Sequence, residues 1–154
     1  MTSAEFAPYA WHDNIIHALR IRISHPEEGD WLSELILDID HIVEWPCSAD
    51  RPFKVAPATL TFHDAGDLSV SIDSGKTDGR VALHEWSIDH IAREAISEQQ
   101  VAFDRPFYRW RIELNWPKGG HIGFAGSGFT QALRSDPVLS PTVRLATAHR
   151  LGRD

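Results

Sequence analysis

Polar and apolar residues alternate with a period of two over long stretches of this chain. In residues 35–45, Leu35, Leu37, Ile39, His41, Val43 and Trp45 alternate with Ile36, Asp38, Asp40, Ile42 and Glu44. Successive strand side chains point to opposite faces, so the odd set can face a core while Asp38, Asp40 and Glu44 share the other side. The same pattern predicts a strand over 15–24, with Ile15, His17, Leu19, Ile21 and Ile23 inward. His25 to Asp30 then form a polar loop, and Trp45-Pro46 ends the second strand because proline cannot donate to a central ladder. Strands over 58–63 and 67–73 follow, with Leu60, Phe62, Leu68, Val70 and Ile72 inward. Asp64, Ala65, Gly66 and Asp67 predict a tight hairpin between them. Residues 107–116 place Tyr108, Trp110, Ile112, Leu114 and Trp116 on one face, and 121–125 return after a turn at Pro117 to Gly120. Gly126, Ser127 and Gly128 end or bulge that return strand.

Two segments depart from strand period. Residues 81–86 look extended. In 87–96, Ile88, Ile91, Ala92, Ala95 and Ile96 have helical spacing behind Ser87, a plausible N-cap, so a short helix is expected there. Ser140-Pro141 resembles a helix start, with a short or frayed helix over 142–149. Long helices between strands, which a parallel sheet would need, are absent from the pattern. The expected fold is therefore mainly β (α+β): one domain over 1–154, built on a single antiparallel sheet system of about six to eight strands. The sheet forms a sandwich or half-barrel, with one or two short helices.

Composition narrows the function classes. Six Trp and seven Phe are a heavy aromatic load for 154 residues, and Trp31, Trp45, Trp86, Trp110 and Trp116 fall mostly on core-facing positions. The net charge of -7 opposes general nucleic-acid binding and would steer the chain toward a basic partner. No apolar segment is long enough for a membrane span, and the start lacks a secretory signal region. The single cysteine, Cys47, forms no internal disulfide, so a cytoplasmic location is expected.

Candidate chemistry centres on histidines beside acids: His12-Asp13, Asp40-His41, His63-Asp64, His84-Glu85 and Asp89-His90. Imidazole and carboxylate are metal ligands, and a bound metal can activate water. Neighbours on a strand point to opposite faces, however, so they cannot chelate one ion from mid-strand. No helix carries a His-Glu-x-x-His element, and the all-helical setting of His-Asp phosphohydrolases is missing. His17 and His41 interrupt apolar faces and read as hydrogen-bonded core histidines that could meet across paired strands. The residues retained as binding candidates are Trp11, His12, Asp13, Asp38, Asp40, His63 and Asp64, with Trp11 as a rim anchor or part of a turn. No catalytic residue, metal site or cofactor is assigned.

Three pieces carry a resemblance: His12-Asp13-Asn14 with Ile16; Leu35, Leu37, Asp38 and Asp40; and Gly120, Ile122, Phe124, Gly128, Phe129 and Gln131. Together they resemble a group of small uncharacterised bacterial β-rich proteins. They are also similar to immunity proteins of bacterial toxin systems, which have an early His-Asp and a β-rich body. The resemblance implies a bacterial cytoplasmic protein and carries over no catalytic residue. The leading expectation is a non-enzymatic protein-interaction module, with a protein partner or self-association. Its rivals are a small-molecule-binding β domain and a metal-dependent hydrolase using some of the His and Asp candidates.

Overall fold

The computed structural model describes residues 2–75, 84–97 and 105–150. Nine strands form one antiparallel sheet: β1 (Ile15–Arg22), β2 (Glu34–Glu44), β3 (Phe53–His63), β4 (Gly66–Ser71), β5 (Trp86–Ala95), β6 (Tyr108–Trp116), β7 (His121–Gly126), β8 (Gly128–Leu133) and β9 (Val138–Ser140). The strand order is β4-β7-β6-β5-β1-β2-β3-β8, with β9 also on β3. Short 3-10 turns cover Ser3–Glu5 and Pro26–Glu28, and one helical turn, α1, covers Thr147–Arg150. The mainly β, single-sheet architecture agrees with the sequence pattern, and the sheet stays open. Among the described residues, no helix is long and apolar enough to cross a membrane.

Chain continuity bends this sheet into a curl. Only Asp64 and Ala65 separate β3 from β4, and only Ser127 separates β7 from β8. β3 pairs with β8 while β4 pairs with β7, so the two arms form one antiparallel ladder folded at a corner. Asp64 (φ 54°) and Asp67 (φ 51°) take left-handed conformations at that corner, and Ser127 N–H donates to the His63 carbonyl at 3.0 Å. The expected hairpin between 58–63 and 67–73 is therefore corrected: the turn residues redirect the chain instead of reversing it. The β6–β7 hairpin does form, with Gly119 at φ 80° in its turn.

The curl surrounds an aromatic core. Phe62, Trp110, Phe124 and Phe129 come from four strands and pack mostly edge to face, with Phe62 and Phe124 4.7 Å apart at their centroids. Leu35, Leu37 and Ile39 of β2 close one side, and Ile88 and Ile91 of β5 another. Trp11 lies within this core, fully buried.

Further expectations are corrected at bulges and turns. Residues 87–96 belong to strand β5, not to a helix, because register shifts at Ser87/Ile88 and Ile88/His90 insert extra residues. Ile88 and Ile91 then share a face although they are three apart in sequence. In β1 a shift between Ile16 and Ala18 places Ile16 and Leu19 on the core side; Ile21 and Ile23, of the same parity as Leu19 but farther along the chain, are exposed. In β2 a shift between Ile42 and Glu44 leaves Val43 and Trp45 exposed, not inward; Trp31 and Trp116 are exposed too. Ser140 does not start a helix: its hydroxyl accepts from Thr142 N–H and donates to the Arg144 carbonyl, closing a turn before α1. The extended segment expected over 81–86 falls partly outside the described residues, as does most of the expected loop over 74–79.

Candidate functional site

Asp38 and Asp40 do share one face of β2, as period two requires, and both are buried. Each is held by an arginine. Asp38 accepts from Arg20 Nη2 at 3.2 Å and from Thr59 Oγ1 at 2.8 Å, across the neighbouring strands β1 and β3. Asp40 is fully buried and accepts from Arg150 Nη2 at 2.7 Å, from Arg150 Nε at 3.1 Å and from Leu145 N–H at 2.9 Å. Arg150 in turn reaches Glu85 Oε1 at 2.9 Å, and Arg144 Nε stands 2.5 Å from Glu85 Oε2 as an ion pair. The hydrogen bonds to Asp40 raise the Arg150 pKa, so this guanidinium stays charged despite its burial. The arrangement anchors the C-terminal segment to the sheet.

His17 and His41 do not meet. His17 lies on the Asp40 side, 3.7 Å from Asp40 Oδ1, and burial lowers its pKa, helped by Arg150 and Arg134. His41 lies at the end of the core face, where Asn14 Nδ2 donates to its Nδ1 at 3.5 Å. Burial pushes the His41 pKa down to about 4, which keeps the ring a neutral acceptor.

His63 and Asp64 occupy the corner. His63 Nδ1 donates to Glu34 Oε1 at 3.2 Å, and Thr130 Oγ1 sits 3.0 Å from Nε2. Asp64 accepts from Ser127 Oγ and from Arg105 Nη2. An open cleft of about 290 Å³ lies between these groups. Glu34 on β2 is the register partner of His63 on β3, whereas Thr130 on β8 is paired with Thr61 and reaches His63 diagonally. Such cross-strand pairs stabilise a sheet face.

His12 and Asp13 sit at the opposite end of β1 from the Pro26–Glu28 turn. Trp11 beside them is no rim anchor. Its ring packs on Phe129 at 5.2 Å, and its Nε1 donates to Gln131 Oε1 at 2.6 Å. The exposed aromatics here are Tyr9 and Trp45. Tyr9 lies 5.5 Å from the His90 ring and 6.3 Å from His12. His12 lies stacked 6.4 Å from Trp45, which meets Phe53 at 5.7 Å. His12 Nδ1 donates to the Asp89 carbonyl at 2.8 Å. Asp89 Oδ2 is 3.0 Å from His90 Nδ1, and Asp13 Oδ1 accepts from Asn115 Nδ2 at 2.6 Å. Asp13 takes φ 59°, a conformation that Asp tolerates better than most residues. The result is a row of rings, His90-Tyr9-His12-Trp45-Phe53, edged by two half-exposed carboxylates.

The seven sequence candidates thus fall into separate places: Trp11 in the core, His12 and Asp13 on this rim, Asp38 and Asp40 beneath arginines, His63 and Asp64 at the corner. Among the described residues, no three His, Cys, Asp or Glu side chains group closely enough to hold a metal ion. Sequence reasoning missed Tyr9, Trp45 and Phe53 as members of the rim. Trp45 was assigned to the core by parity, and a single bulge reverses that parity. Comparisons with protein-family models, curated proteins and solved structures find no match.

Proposed function

We propose that the chain is a non-enzymatic protein-interaction module and that the ring row from His90 to Phe53 is its docking surface. The observation that carries this reading is the exposure of Tyr9 (67%) and Trp45 (50%) beside partly exposed imidazoles and carboxylates. Large aromatic side chains left in water cost solvation and tend to dominate protein interfaces once covered. The other candidate acids support the same conclusion from the opposite side. Asp38, Asp40 and Asp64 are occupied by arginines and serve as ties within the fold. The resemblance of the His12-Asp13 segment to immunity proteins gives this role a specific form, the holding of a toxin in the cytoplasm. An exposed, unpaired Cys47 suits a reducing compartment. A small-molecule binder would line its interior with tryptophan; instead Trp11 and Trp110 pack against Phe129 within the core.

Affinity capture with the intact chain, followed by mass spectrometry of what is retained, tests the proposal. A specific protein held by the wild type should be released, by roughly tenfold or more, when Tyr9→Ala and Trp45→Ala are combined. Retention unaffected by the double substitution removes this surface as the docking site.

A further inference from the structure

Six paired acids of the fold meet an arginine, whereas Asp13 and Asp89, like Glu27 and Glu34, meet imidazoles. Asp30, Asp38, Asp40, Asp64, Glu85 and Glu113 each meet an arginine. Asp13 and Asp89 meet only imidazoles and an amide: His12 stands 3.7 Å from Asp13 and 3.4 Å from Asp89, and His90 stands 3.0 Å from Asp89. Among the described residues, no guanidinium or ammonium pairs with either carboxylate. Their side chains are about two-fifths exposed, at 41% and 39%, so a partner can reach them. The Tyr9 and Trp45 rings flank His12 at 6.3 and 6.4 Å, and an aromatic face attracts a cation placed within about 6 Å of its centroid.

Resting on the docking reading above, we propose that the occupant of this rim is a basic segment of a partner protein. An arginine or lysine side chain of that segment lies against the Tyr9, His12 and Trp45 rings and supplies the counterion that Asp13 and Asp89 lack. A purely apolar partner would strip water from two carboxylates and return nothing for it. A nucleic-acid backbone would be repelled by them and by the net charge of -7. Arginine suits the seat better than lysine, because its planar fork can stack on a ring while it bonds a carboxylate.

The full chain is titrated with an acetylated, amidated hexaarginine peptide, followed by tryptophan fluorescence and calorimetry at physiological salt. Hexaglutamine serves as the uncharged probe. The rim variant Asp13→Asn/Asp89→Asn keeps side-chain size, and Asn accepts the left-handed backbone at position 13. The control Glu27→Gln/Glu28→Gln removes the same two charges in the exposed Pro26–Glu28 turn at the far end of β1. Hexaarginine should bind the wild type, and hexaglutamine should not. Affinity should fall roughly tenfold in the rim variant and in Trp45→Ala, and by less than about twofold in the control. Equal losses in the rim and control variants would mean that net charge alone attracts the peptide, and the proposal fails. No binding to the wild type overturns it as well. A dimer that sedimentation shows to depend on Trp45 would put a second copy in the seat and exclude the basic segment. A captured protein that needs Tyr9 and Trp45 but ignores Asp13→Asn/Asp89→Asn ends the cationic proposal and leaves the docking surface standing.

Discussion

Asp40 illustrates how much a single buried charge can organise. Its carboxylate is out of water, so it depends on Arg150 and the Leu145 amide for compensation. Arg150→Ala leaves that charge with one backbone donor, and Asp40→Asn leaves a buried guanidinium short of an acceptor. Each should lower the unfolding free energy by about 3 to 5 kcal/mol in urea titrations. Hydrogen exchange should also rise first in α1 and the turn before it. His41 makes a second prediction, in pH. The folded chain takes up this proton only near pH 4, while the unfolded chain takes it up near 6.5. Between those values the unfolded state binds more protons, so stability is full above pH 6.5 and declines as pH falls toward 4. The contribution is roughly 3 kcal/mol across the window, and His41→Asn should flatten the curve of urea midpoint against pH. The shared face of Asp38 and Asp40 was legible from alternation alone. Their arginine partners were not, since Arg150 lies 110 positions away and only tertiary folding brings it in.

The strands were largely legible and their parity only in part, for one recurring physical reason. A bulge adds one residue to a strand and moves every later side chain to the opposite face. In β5 it makes Ile88 and Ile91 share a side and so imitates helical spacing; in β1 it does the same for Ile16 and Leu19. In β2 the shift comes just after the buried Ile42 and leaves Val43 and Trp45 outside. No single residue in these segments announces the insertion, because the signal is the register of the neighbouring strand. Adjacent substitutions test the β2 bulge. Ile42→Ala should cost about 2 to 4 kcal/mol in denaturant unfolding, and Val43→Ala less than about 1. Uninterrupted alternation would give the reverse order.

At the level of the molecule, the class of fold could be read from the chain and its path could not. Asp64 to Asp67 have the composition of a hairpin turn, yet β3 and β4 pair with different strands. What decides is the corner, where Gly126 offers its carbonyl to Trp110 Nε1 at 3.1 Å and has no room for a side chain. A Cβ at this position would stand 2.9 Å from the His63 carbonyl, so Gly126→Ala should destabilise the fold by about 1 to 3 kcal/mol in thermal or urea unfolding. The same path brings the N-terminal segment across β5, through Ile91 N–H to the Pro8 carbonyl and Asp13 N–H to the Ile88 carbonyl. That crossing assembles the rim from residues far apart in sequence and sets Tyr9 beside His90. Hydrogen–deuterium exchange of the chain bound to its captured partner measures this claim most directly. Protection should concentrate in residues 9–14, 43–54 and 88–91. A footprint centred instead on the β4 edge or the His63 corner, with those three segments exchanging as in the free chain, would contradict it.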